Sequence, residues 1–309
     1  MAAALWVVIV LTVAAIAAAR YSVTEHRLAA YQWEAVRLRE GLRAAVDSAI
    51  RDVGAMDSPG WDAYNQAWAN APKLFTGRSF PGGRFDVTND ADGQRLSGCA
   101  DESGKIDLNR APPDVLERVF GDRGDVAAAV LDWRDPDDVR RLHGAEAADY
   151  PDTKPRNGPF QSVDELLLVR GVSPDVFETV RPLVTVAGGA TVNANTASLA
   201  VLRCLGLPDR ARTVLQKYRE GPDGRRGTAD DGVFRAVGDL PAVLTGPWSK
   251  AEAAALAALW KRNLLGVRSR AISLTMDVAM TDGLEGGVRV VALPRAWPPR
   301  IVEWREDPW

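Results

Sequence analysis

The chain opens with Ala2 to Ala19, AAALWVVIVLTVAAIAAA, eighteen positions without a charge. That run is just long enough to cross the ~30 Å hydrocarbon core of a bilayer as a helix. From Tyr21 to Val53 the pattern becomes amphipathic. Leu28, Tyr31, Ala35, Leu38, Leu42, Ala45, Ala49 and Val53 step by threes and fours along one face. Arg27, Glu34, Arg37, Arg39, Glu40, Arg43 and Asp47 mostly occupy the other. The stretch holds no proline and a single glycine, Gly41. The spacing therefore predicts one helix that runs from a membrane into a soluble domain. The rival is a cleaved secretory signal, and Ala17-Ala18-Ala19 satisfies its small-residue rule. Against it, no basic segment precedes the apolar run, and the same helix continues past it.

Ser58-Pro59-Gly60 breaks the helix, and Pro81-Gly82-Gly83 opens a different texture. Between Arg84 and Leu108, RFDVT and GKIDL read as short strands around polar turns such as Asn89 to Gly93. From Asn109 to Val267 the period is helical. From Ser269 strands return as AISLTMDVAM, GGVRVVALPR and RIVEWRE. This order predicts an α+β fold: a long N-terminal helix with an antiparallel sheet, and a large all-α domain inserted into it. The expected boundaries are 1–19 for the membrane-spanning part and 20–57 for the rest of that helix. Residues 58–108 and 268–309 form the α/β domain, and 109–267 the insertion.

The insertion repeats itself. NRAPPDVL, from Asn109, resembles NTASLAVL, from Asn195; LDWR, ending at Arg134, matches QKYR, ending at Arg219; FQSVDEL, from Phe160, echoes FRAVGDL, from Phe234. Each copy would start a helix at a capping Asn or Thr and then make a short hairpin. An aromatic would lead on to a further helix. A duplicated helix-hairpin-helix-like unit accounts for this pattern best.

Each copy carries a polar loop, residues 135–159 in the first and 220–232 in the second. Ca²⁺ takes six to eight oxygen ligands, and close Asp and Glu side chains in flexible loops supply them. Asp132, Asp135, Asp137, Asp138, Glu146 and Asp149 are clustered enough to wrap one ion. Asp223, Asp230 and Asp231, with backbone carbonyls, make a weaker second candidate. Neither loop has EF-hand spacing, and a solvated acidic loop is the plain alternative for both.

Composition narrows the rest. The 309 residues allow two domains, and a net charge of −3 gives no general reason to expect nucleic-acid binding. Cys99 and Cys204 are far apart and in no metal-ligand spacing. They read as small buried apolar residues, and sequence leaves open whether they pair. His26 and His143 have no partner pattern. No phosphate loop, nucleophile elbow or metalloprotease signature occurs, so no active site is expected. Phosphate-gripping hairpins need glycines backed by Lys or Arg. Leu168 to Asp175 has one glycine, Leu205 to Asp209 is equally poor, and acids lie close to both.

The ordered set of apolar helix, GKIDLN, LDWRDPDD, HGAEAADY, FQSVDELLLVRGV, VNANTASLAVL and closing strands resembles general secretion pathway protein K, the minor pseudopilin K family of type II secretion. The resemblance implies a pilin-like α/β domain with a helical insertion. It implies a tip cap on the periplasmic pseudopilus, in complex with minor pseudopilins I and J and alongside other inner-membrane secretion components. It implies no enzymatic activity and no nucleic-acid partner. The chain would cross the bacterial inner membrane once, through residues 2–19, with its globular part in the periplasm. It also implies structural calcium in the inserted domain, a role that falls here on Asp132, Asp135, Asp137, Glu146 and Asp149. One departure concerns the start. Prepilin-like proteins begin with a short basic leader ending in glycine, whereas Met1 is followed directly by Ala2-Ala3-Ala4-Leu5. Either the start lies further upstream or insertion proceeds without that processing. Most pilin subunits also carry an early Glu, whereas the first acid here is Glu25, which suits a tip position. Two other readings remain. One is a membrane-anchored, competence-type helix-hairpin-helix DNA-binding protein. The other is a secreted calcium-binding protein.

Overall fold

The computed structural model describes residues 1–56, 59–151, 153–295 and 299–306. Ser58 of the expected helix break and Asp152 of the first polar loop lie outside the described residues. Helix α1 (Ala2–Gly54) is unbroken, about 80 Å long at 1.5 Å per residue. Every position up to Arg37 is exposed, and burial begins at Leu38. The apolar stripe expected from Leu28 thus packs only over its second half. Leu28 and Tyr31 stay 51% and 70% exposed, because no other part of the described chain reaches that far along the helix. Leu42, Ala45, Val46 and Ala49 are wholly buried. Gly41 permits this close approach, since a Cβ there would collide with Met280 Sδ. Arg37 pairs with Asp282, and Arg39 with Glu306 at 3.3 Å, on the flanks of the contact.

After α2 (Pro72–Phe75) come β1 (Arg78–Phe80), β2 (Gly83–Ala91), β3 (Gln94–Ser97) and β4 (Ala100–Asp101). The chain then leaves through β5 (Ile106–Asp107), α3 (Pro113–Phe120), α4 (Gly124–Arg134), α5 (Pro174–Val180) and β6 (Val184–Thr185). It continues with β7 (Val192–Asn193), α6 (Leu199–Cys204), α7 (Asp209–Glu220), α8 (Leu240–Val243), α9 (Lys250–Arg262) and β8 (Leu265–Gly266). It returns as β9 (Ile272–Met280), β10 (Glu285–Leu293) and β11 (Arg300–Glu306). Strands β1, β2, β9, β10 and β11 lie side by side in that order, with β3 added to β2 and β4 to β9. Every pairing in this sheet is antiparallel. β2 and β3 are joined at Asp92-Gly93, both with positive φ (56° and 86°), as a tight hairpin turn requires.

Apolar residues on one face of the sheet (Phe85, Val87, Leu274, Met276, Val290) and the buried stripe of α1 make one core. A second core gathers residues from Ile106 to Val267. Ile106 and Leu108 belong to that second core. The strand expected at GKIDL therefore does not join the sheet: β5 pairs in parallel with β6. Likewise β7 pairs in parallel with β8, so the segment between the two halves of the sheet is not purely helical. These two ladders close equivalent loops, one around each copy of the repeat.

Candidate functional site

The repeat is visible as matched hydrogen bonds. Asn109 Nδ2 donates to Phe160 O (3.0 Å) and Asn109 Oδ1 accepts from Phe160 N (2.7 Å). Asn195 holds Phe234 in the same way, at 2.9 Å in both directions. Arg134 donates to the carbonyls of Leu108 and Ala111, and Arg219 to those of Ala194 and Ala197. Trp133 stacks near Phe160 and Tyr218 near Phe234, with ring centroids 6.3 and 4.8 Å apart. Gly121, between α3 and α4, and Gly206, between α6 and α7, have φ of +64° and +94°. Gly206 thus answers Gly121. Gly171 (φ +86°) turns the chain between the short 3-10 helix Val163–Leu168 and α5.

The two polar loops have diverged. Asp132, on the last turn of α4, is fully buried, and its carboxylate accepts from Arg141 N (3.2 Å) and Arg141 Nη1 (2.7 Å). A Cβ on Gly144 would collide with this carboxylate. Asp135 meets the same Arg141 guanidinium through one oxygen, while its Oδ1 is buried without a partner. Both carboxylate oxygens of Glu146 are also buried and unpartnered. Burial first, then the charges of Asp132, Asp135, Asp138 and Asp137, push the Glu146 carboxyl up to about 7.

The other two expected ligands turn elsewhere. Asp137 Oδ1 accepts from Val139 N at 2.9 Å. Asp149 Oδ2 accepts from Glu146 N at 3.0 Å, and its Oδ1 faces Arg140 and Arg170. Among the described residues no three His, Cys, Asp or Glu side chains stand close enough to hold a metal as they are placed. The Arg141 guanidinium thus pairs with Asp132 and Asp135, while Asp135 Oδ1 and both Glu146 oxygens are buried without a donor among the described residues. Hard carboxylate oxygens in that state fit a Ca²⁺ ion.

In the second loop the carboxylates serve the backbone. Asp223 Oδ1 accepts from Arg225 N and Asp230 Oδ2 from Asp223 N. Asp231 Oδ2 accepts from Gly227 N, and its Oδ1 from the Thr228 hydroxyl. The loop so shaped plugs into the sheet. Arg226 is buried with its ring-facing carbon 4.8 Å from the Tyr64 centroid, and it donates to Asp92 Oδ2 (2.6 Å) and Asn195 O (2.7 Å). Gln94 exchanges bonds with the Arg226 backbone, and Asn70 donates to Gly227 O. A second junction lies nearby. Arg295 pairs with the buried Asp62, whose carbonyl accepts from Asn193 and Asn195. Asp101 accepts from Ser103 N, Asn193 and Thr196.

Apart from Asn195 and Thr196 in the repeat, these junction residues did not stand out in the sequence. Most of their contacts join residues more than ninety positions apart, which one sequence does not carry. The repeat alone gave a hint, since Asn195 and Arg219 fall at matched places in it.

Known proteins resemble this chain in three ways. Residues 116–189 match the family model described as Type II secretion system (T2SS), protein K. The Type II secretion system protein K of Klebsiella pneumoniae is 26% identical over 177 residues, 53% of this chain. That match spans 52% of the Klebsiella protein, so the chain corresponds to about half of that relative's length. A chain of the crystal structure of the GspK-GspI-GspJ complex, from the type 2 secretion system of enterotoxigenic Escherichia coli, has the same fold. It superposes with a TM-score of 0.63 at 17% identity, covering 90% of this chain and 97% of that one. The shared architecture is a long N-terminal helix with an antiparallel sheet. One helix, Ala2–Gly54, is long and apolar enough to cross a membrane, consistent with a single-pass anchor.

Proposed function

We propose that this chain, which resembles general secretion pathway protein K, is a minor pseudopilin that caps the tip of a type II secretion pseudopilus, bound to minor pseudopilins of the I and J kinds. The observation that carries the reading is the division of labour along α1. The apolar run Ala2 to Ala19 and the whole helix up to Arg37 are bare, while one face from Leu38 to Val53 is sealed against the sheet. An exposed run of that composition is stable in lipid, and the exposed stretch from Leu28 to Val36 is a surface for neighbouring helices. Residues 2–19 would lie in the bacterial inner membrane and the globular part in the periplasm. The role is structural and not enzymatic.

We read the segment 109–267 as a domain inserted into a pilin-like domain formed by 58–108 and 268–309, with Ile106 and Leu108 drawn into the inserted core. Its two copies are helix-hairpin-helix-like units used for packing. The three buried oxygens of Asp135 and Glu146, next to Asp132, support a structural Ca²⁺ held by these residues, with Asp137 and Asp149 swinging in from their present partners. The bound ion would supply positive charge to Glu146 and to Asp132 and Asp135, which now share Arg141. Asp223, Asp230 and Asp231 are weaker ligands, since each already accepts hydrogen bonds within its loop. The competence-type DNA-binding reading is not favoured.

Co-purification tests the proposal. The full chain in detergent, co-expressed with cognate minor pseudopilins I and J, should elute as one complex by size exclusion. Elution of the chain alone from every such mixture would overturn the assembly role.

A further inference from the structure

Two open clefts lie where the two cores meet, and their charges differ. The cleft between α5 and β11 sets Lys105, Arg181, Arg289 and Arg305 against Glu102, Asp164, Glu178 and Glu303, and is balanced. The other is about 500 Å³ and lies between the linker that joins the two repeats, Gly188 to Thr191, and the return to the sheet at Arg268 to Arg270. Arg268, Arg270 and Arg295 line it, and among the described residues no acidic one does. Arg295 is neutralised by Asp62 beneath it. Arg268 and Arg270 are exposed and make no side-chain ion pair or hydrogen bond with any described residue. In the balanced cleft, by contrast, Arg181, Arg289 and Arg305 each pair with a carboxylate.

Two of the four linker residues, Gly188 and Gly189, offer this cleft bare backbone, and Ala190 and Thr191 follow with small side chains. Gly188 is pressed against Thr185 and the Glu102 carbonyl, where a Cβ would stand 2.8 and 3.0 Å from them, so no larger residue fits. Gly189 holds φ +102° and lies beneath the stem of Arg270, 3.6 Å from where its Cβ would stand. A ligand backbone therefore meets no side chain from these two residues.

We propose that this cleft receives a carboxylate-bearing segment of a partner protein, an acidic loop or terminus, between the guanidiniums of Arg268 and Arg270. Guanidiniums bind carboxylates in a planar, two-pronged manner, and two of them beside the bare Gly188-Gly189 backbone fit an extended acidic strand. Place in the molecule decides against a lipid headgroup. The Pro294 carbonyl, next to Arg295, lies 3.4 Å from where a Cβ of Gly54 would stand, at the far end of α1. The 35 residues from Ala19 to Gly54 put it roughly 50 Å along the helix from the apolar segment. That step rests on the membrane-anchored reading proposed above; the charge imbalance does not.

The test uses the full chain in detergent and a fluorescein-labelled octa-aspartate peptide, read by anisotropy. Binding should weaken as salt rises, and the R268E/R270E variant should bind at least about tenfold more weakly. The R84E/R95E variant changes the same charge on exposed arginines of the sheet and should bind as the parent does. Equal loss in both variants would mean that only net charge is sensed, and the proposal falls. Full competition by millimolar inorganic phosphate would make the cleft a small-anion site and would also overturn it. Thermal melts check that both variants fold. No minor pseudopilin is present in this assay, so its failure is distinct from failure of the complex to form.

Discussion

The Arg226 guanidinium donates to Asp92 Oδ2 at 2.6 Å across 134 positions of sequence. It fastens the second polar loop to the β2–β3 hairpin, so a loop that reads as a metal ligand set is a joint between the two cores. Arg226 is 3% exposed, and its guanidinium also faces Tyr64 and the Asn195 carbonyl. Breaking a buried pair strands the remaining partner. Arg226→Ala should therefore lower stability by about 3 kcal/mol, measured by urea unfolding. Arg226→Lys should recover little, since an ammonium cannot reach both acceptors and stack on the ring. A loss of under about 1 kcal/mol would mean that the joint is held elsewhere.

Asn109 and Asn195 make the same pair of hydrogen bonds to a phenylalanine backbone, but their burial differs. Asn195 is 3% exposed and also donates to Asp62 O at 3.1 Å. Asn109 is half-buried and has no third bond. Both alanine variants should destabilise, Asn195→Ala by about 2–3 kcal/mol and Asn109→Ala by about 1–2 kcal/mol. Melting temperatures of the two variants check the order. The reverse order would remove the idea that Asn195 also ties the repeat to Asp62.

What the residues disclosed beforehand follows from how local each signal is. The helix of Ala2–Gly54 and strands β9, β10 and β11 rest on periodicity and turn residues within one segment, and they form where the pattern puts them. The repeat shows because one set of contacts was written twice. The GKIDL strand went to the wrong partner because a two-residue ladder carries no pattern of its own and its pairing with Val184 is long-range. The stripe at Leu28 and Tyr31 has the right period but nothing to pack on within the chain. At the acidic site the carboxylates were legible and their counter-charge was not. Arg141 reads as one of several arginines until the loop folds it onto Asp132 and Asp135.

Glu102 sets a pH dependence. It is buried; burial alone raises its carboxyl, but Lys105, Arg289 and the Thr185 hydroxyl outweigh that and hold it down at about 2. Its ordinary value is 4.5. A carboxyl depressed in the folded state stabilises above the unfolded value and loses that contribution as pH falls through the folded one. The chain should lose on the order of 3 kcal/mol between about pH 5 and pH 2 from this group. The neighbouring Asp101 is raised to about 6 by burial, despite its hydrogen bonds, and its sign is opposite. Taking the difference between the parent and Glu102→Gln cancels it. That difference should shrink steadily as pH falls from 5 to 2. A difference independent of pH would show that Glu102 gains nothing from Lys105 and Arg289.

Metal removal bears on the Asp132, Asp135 and Glu146 cluster. An ion that binds only the folded chain stabilises it by RT ln(1 + [L]/Kd), about 2.7 kcal/mol at a hundredfold excess over Kd. Millimolar Ca²⁺ should therefore raise the melting temperature of the full chain in detergent, and EDTA should reverse the gain. Glu146→Gln removes the charge that the ion would meet and also relieves the burial of that charge and the carboxylate repulsion that together push Glu146 up to about 7. This variant should be at least as stable as the parent in EDTA and should no longer respond to Ca²⁺. Asp230→Asn should keep the response, because Asp230 is committed to Thr228 and the Asp223 backbone. Arg141→Gln separates the two sources of positive charge. Without its guanidinium the cluster should be less stable in EDTA and should gain more from Ca²⁺ than the parent does. Identical melting curves with Ca²⁺ and with EDTA in the parent chain would leave Asp132 and Asp135 with Arg141 as their counter-charge and would sink the ion site.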